Sequence, residues 1–143
     1  ERGNQPVREY VGAVFAAGLA YLSARGDIPR EFTLVPAPTR PRSARARGGD
    51  PVAAVCHTAA QLQRVGVCAA LSMGQSTADQ SELNAQDRWA NLQGRVRVHA
   101  PIARAPALLA DDVVTTGATL AASIAALQAA GVEVCGALVF ADA

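Results

Sequence analysis

The segment Leu108–Leu120, LLADDVVTTGATL, constrains this chain more than any other stretch. An apolar run meets two adjacent acids, Asp111 and Asp112. A Val-Val step then leads into a loop of threonines and one glycine, and a helical pattern follows. The order predicts a buried strand over Ala107–Ala110 and a helix over Thr116–Ala130. Leu120, Ile124 and Leu127 share one face of that helix, and Gly131 stands just past its end. A strand running through a tight loop into a helix is half of a βαβ unit, so a parallel sheet is expected.

The rest of the chain repeats the alternation. Residues 6–25 carry Val7, Val11, Val14, Phe15, Leu19 and Leu22 at helical spacing, with Gly26 as a stop. Phe32–Val35 reads as a strand ending at Pro36. Residues 36–50, rich in Pro, Arg and Gly, read as a loop. Asp50 and Pro51 read as an N-cap and first helical residue, opening a helix to about Arg64 with Val52, Val55, Ala59 and Leu62 inward. Val67–Leu71 reads as one strand, and residues 73–82 as a mobile polar loop. A short helix follows, from a cap at Ser81 or Asn84 through Trp89 to Leu92. Arg95–Val98 reads as an edge strand, and Val132–Phe140 as the last strand. The sum is an α/β fold in one domain over residues 1–143, with a mostly parallel sheet of four or five strands, helices on both faces and a small hood.

Composition excludes several classes. Half the residues are hydrophobic, which rules out a disordered chain. A net charge of +1 gives no compositional case for nucleic-acid binding. Every basic residue is Arg, whose planar fork suits phosphate. Cys56, Cys68 and Cys135 form no CxxC pair, so they read as buried reduced thiols in a cytoplasmic protein. No apolar run is long enough to span a membrane, and no signal peptide is recognisable. The chain begins at Glu1 rather than Met, so it reads as trimmed or as a piece of a longer protein. No P-loop pattern GxxxxGK[ST] is present.

The chemistry concentrates beyond the 107–110 strand. In open α/β sheets, ligands bind outside the carboxyl ends of the strands. The loop there leads into a helix N-terminus, whose free N–H groups and dipole favour an anion. Gly117 allows close backbone approach, and Thr115, Thr116 and Thr119 offer hydroxyls. Asp111 and Asp112 are expected at the strand tip, facing the same pocket. Carboxylates repel phosphate, so their natural partners are sugar hydroxyls or a bridging metal ion. A phosphorylated sugar satisfies all of these groups.

LLADDVVTTGAT resembles the signature with which type I phosphoribosyltransferases bind 5-phosphoribosyl pyrophosphate (PRPP). LVPAPTRPRSARARGGDPV and DQSELNAQDRWANLQG resemble two further motifs of the ComF/GntX family, in the same order. The resemblance implies a type I phosphoribosyltransferase fold and transfer of the phosphoribosyl group to a nitrogen nucleophile on a base, with release of pyrophosphate. Asp111 and Asp112 would bind the ribose hydroxyls, directly or through Mg²⁺. Val113, Thr115, Thr116, Gly117, Ala118 and Thr119 would complete the PRPP site, the last five around the 5′-phosphate. Ala37, Pro38, Thr39 and Arg40 would form the pyrophosphate loop, and residues 73–82 the closing loop.

Three departures sharpen the reading. Family members often carry a zinc ribbon of CxxC pairs, which this chain lacks. Leu71–Glu82 contains no Arg or Lys to meet leaving pyrophosphate. Thr115 stands where 6-oxopurine enzymes place an acid, which argues against hypoxanthine or guanine. The alternative is a non-catalytic PRPP sensor or a competence-type accessory module of DNA uptake, beside nucleic acid or a helicase-like partner. A homodimer stays open. Among the remaining polar groups, Arg40, Arg42, Arg45 and Arg47 divide evenly between a solvated loop face and pyrophosphate contacts. Arg88, Asn91, Asp79, Gln80, His57 and His99 read as having no catalytic role, and Trp89 as an anchor.

Overall fold

The computed structural model describes residues 5–39, 49–74, 95–102 and 105–143. Helix α1 spans Gln5–Arg25, strand β1 Thr33–Pro36, helix α2 Pro51–Gln63 and strand β2 Gly66–Val67. Strands β3 and β4 span Leu71–Met73 and Val96–Val98. Strand β5 (Ala107–Val114), helix α3 (Ala118–Ala129) and strand β6 (Val134–Asp142) complete the set. The expected helix through Trp89, with Arg88, Asn91, Asp79 and Gln80, lies outside the described residues, as do Arg40, Arg42, Arg45 and Arg47.

The main sheet has four parallel strands in the order β2-β1-β5-β6. β5 is central and apolar from Ala107 to Ala110, as a strand covered on both faces must be. On one face α1 and α2 pack through Phe15, Leu19, Val55 and Cys56 onto Leu34, Leu108 and Ala110. On the other, Leu127 and Ala122 of α3 pack with Leu71 and Val96 onto Val35, Ala107 and Leu109. The protein is therefore α/β, with helices on both faces of an all-parallel sheet. Among the described residues no helix is long and apolar enough to cross a membrane.

Local chemistry explains the helix ends. The Asp50 carboxylate accepts from the N–H groups of Val52 and Ala53 at 3.0 and 3.2 Å, with Pro51 at the first helical position. Such a cap contributes about 0.5–2 kcal/mol. Arg64 closes α2 in the left-handed region. Gly26 and Gly131, both at positive φ, follow α1 and α3.

α1 and α2 cross so closely at Gly12 that a Cβ there would lie 2.5 Å from the Cβ of Thr58. Gly12→Ala gains about 1 kcal/mol of helix propensity. The overlap costs about 1–3 kcal/mol and dominates. The variant is expected to unfold at lower urea concentration, and an unchanged midpoint would refute the close crossing.

Several expectations are corrected. Val67–Leu71 is not one strand: Ala70 donates to the Cys68 carbonyl at 2.9 Å, and the chain turns there. Its last residue, Leu71, begins β3, which pairs antiparallel with β4 in a separate two-stranded ribbon. Val7 and Val14 are exposed, because the buried stripe of α1 centres on Phe15, Ala16 and Leu19. Leu62 is also exposed on α2. Of the three cysteines, all free thiols, only Cys56 is fully buried.

Candidate functional site

β5 does not stop at Ala110. It runs on to Val114, so Asp111 and Asp112 lie within the strand rather than beyond its tip. The cause is β6, which stays in register with β5 from Asp111↔Val139 to Val114↔Asp142. On the other side β1 ends at Pro36↔Ala110. Past Ala110, β5 therefore pairs with β6 on one edge and, among the described residues, with no strand on the other. Ala37 makes the last link on the β1 side, donating its N–H to the Ala110 carbonyl at 2.7 Å.

In a parallel ladder alternate residues point their backbone groups to opposite neighbours. Asp112 thus presents its N–H to the edge away from β6, and the Asp111 carboxylate accepts it at 2.9 Å. The Asp112 carboxylate in turn accepts from the Val113 N–H at 2.8 Å. Strand alternation also separates the two side chains. Asp111 shares the face of Leu109, towards α3, and lines a small hollow open to solvent. Asp112 does not line it, which corrects the expectation of two acids facing one pocket.

Residues 113–120 form the remainder of the hollow. Gly117 turns the chain at φ 72°, and Ala118 opens α3 directly after it. No side chain caps this helix; the nearest contact is a long 3.4 Å approach of the Ala118 N–H to the Thr116 hydroxyl. Thr116 is thus not the first helical residue expected. The first-turn N–H groups have no intrahelical partner and face the region where Thr115, Thr116 and Thr119 stand. Thr115 and Thr116 are exposed and Thr119 half-buried. Three threonine hydroxyls beside a helix N-terminus can receive an anion the size of a phosphate.

The electrostatics oppose a second negative group. Burial pushes the Asp111 carboxyl up to about 6, and the neighbouring charges of Asp112 and Asp50 push the same way against the Asp112 N–H bond. Cys56, buried under β5, is pushed up to about 12 by burial and by the charges of Asp50 and Asp111. Asp50 therefore belongs to this end of the sheet. Sequence reading treated it only as a helix cap.

Among the described residues no group of three or more His, Cys, Asp or Glu side chains could cage a metal ion. Mg²⁺ commonly takes one or two protein carboxylates and completes its shell with phosphate oxygens and water. Asp111, which lines the hollow, fits the pattern of a single protein carboxylate; Asp112 points to the opposite face of β5. His57 and His99 are exposed.

Of the loop Ala37–Arg40, Ala37 and Pro38 are buried and Thr39 is half-buried beside α2. Register places Ala37 opposite Asp111, one step beyond the Pro36↔Ala110 pair. The first loop and the hollow thus adjoin. Thr39 donates its hydroxyl to Asp50 at 2.9 Å, so that donor is engaged. No family model matches this chain, and no curated protein matches it either.

Proposed function

We propose that this protein binds PRPP with Mg²⁺ on a type I phosphoribosyltransferase fold of the ComF/GntX kind and transfers the phosphoribosyl group to a nitrogen nucleophile. The observation that carries the reading is the hollow formed by Asp111 and residues 113–120, where an acid and a free helix N-terminus meet at the carboxyl end of the central strand. Few ligands need both. The 5′-phosphate suits the N–H groups after Gly117, and the ribose hydroxyls suit Asp111. Pyrophosphate would lie towards Ala37–Arg40, adjoining Asp111.

Bound Mg²⁺ would neutralise the pyrophosphate oxygens. The chain's own part is to hold the remote phosphate, so that binding energy orients the bond at C1. Thr115–Thr119 anchor the sugar at one end, and Asp111 fixes the ring.

A second reading has its own support. Leu71–Glu82 contains no cation to meet leaving pyrophosphate, which favours a sensor that binds PRPP without turning it over, in a competence-type setting beside nucleic acid. Calorimetry with PRPP and Mg²⁺, followed by pyrophosphate release over a panel of bases, separates the two. Binding with release that vanishes in Asp111→Ala supports the transferase. Binding without release under any base supports the sensor. Absence of binding ends both.

A further inference from the structure

The loop after β1 is fixed at two points, two residues apart. At one end the Ala37 N–H donates to the Ala110 carbonyl at 2.7 Å, one residue before Asp111. At the other the Thr39 hydroxyl donates to Asp50 Oδ1 at 2.9 Å. The same oxygen accepts the Val52 and Ala53 N–H groups. One carboxylate oxygen therefore joins the loop to the first turn of α2. Pro36 and Pro38 remove further freedom, since each fixes its own φ.

The geometry points to Asp50 as a positioning residue that, through Thr39, holds the Ala37–Thr39 loop in place beside Asp111. A helix cap alone needs only the two N–H bonds. The third donor comes from eleven positions earlier in the chain and ties α2 to a separate loop. With the Thr39 hydroxyl donated to Asp50, the Ala37 N–H donated to Ala110 and no N–H on Pro38, the donor that Ala37–Thr39 has left for an anion is the Thr39 N–H. A loop already set before the ligand arrives has less conformational entropy to lose on binding. The inference deepens the PRPP reading and rests on it for its ligand, although the link itself stands on the hydrogen bonds.

Four variants of the full chain test it. Asp50→Ser keeps a good N-cap, but its shorter side chain loses the reach to Thr39. Asp50→Asn keeps both the cap and the acceptor. Thr39→Val removes the hydroxyl, and Thr39→Ser restores it. Hydrogen exchange at the Ala37 and Thr39 amides reports loop order without any ligand. Titration with magnesium pyrophosphate and with PRPP reports its use.

Asp50→Ser and Thr39→Val are expected to speed exchange roughly tenfold and to weaken both ligands about five- to tenfold. Asp50→Asn and Thr39→Ser should match the parent chain, and all four should melt within a few degrees of it. Unchanged exchange in Thr39→Val overturns the positioning role. Faster exchange in Thr39→Val, with no binding of either ligand even by the parent chain, upholds the role and removes the PRPP reading instead.

Discussion

Leu109→Ala is expected to destabilise the protein by about 2–5 kcal/mol, the range for a fully buried leucine whose cavity refills only in part. Leu109 is entirely buried at the centre of the sheet and packs in the cluster formed with Leu127 and Ala122 of α3. Asp111 is two residues further along the same face of β5, so the cavity would open directly beneath the hollow. Two effects follow from one deletion. The denaturation midpoint falls, and the seat of α3 shifts under the N–H groups that would hold a phosphate. Urea denaturation monitored by circular dichroism reads the first, and PRPP titration the second. A loss below about 1 kcal/mol would contradict the packing of this face.

Asp111→Asn is expected to make the protein more stable and less able to bind. The carboxyl has a folded value of about 6 against an ordinary 3.8. An acid with a raised folded value holds its proton longer in the native state than in the unfolded one. Stability therefore falls as pH rises from about 4 to 6 and stays reduced above that window. The penalty at neutral pH is about 1–2 kcal/mol, once solvent screening of a half-buried carboxylate is allowed for. Asn removes it and flattens the stability profile between pH 4 and 6. The same substitution removes the charge that would anchor a ribose or Mg²⁺, so PRPP affinity should drop by roughly ten- to a hundredfold, the scale of a lost charge-assisted bond. Opposite signs for stability and binding mark a residue kept for use rather than for folding. A variant that loses stability while retaining affinity would contradict both halves.

Much of the fold was legible because local chemistry and tertiary structure agree. Asp50-Pro51 opens a helix, Gly26 and Gly131 follow two others, and the apolar runs at 33–35 and 107–110 are strands. Where they disagree, the sequence misleads. Two aspartates are poor strand residues, so β5 reads as ending at Ala110. The ladder to β6 outweighs that preference and carries the strand four residues further. The consequence reaches the site, because within a strand adjacent side chains part to opposite faces. Val67–Leu71 reads as one strand because nothing local marks the turn at Cys68–Ala70. β1 offers β2 only two register pairs, and β4 captures the following residues. The Thr39–Asp50 link was invisible for a similar reason, since it joins residues eleven positions apart.

The two-stranded ribbon has one further implication. Leu71 and Val96 sink into the same apolar cluster as Leu127, so the ribbon and the phosphate-side helix rest on one foundation. Trimming either residue to admit a bulkier guest would slacken that helix at the same moment. Exposed Thr115 and Thr116 can change size without disturbing that apolar cluster, at the cost of the hydroxyls they offer the hollow.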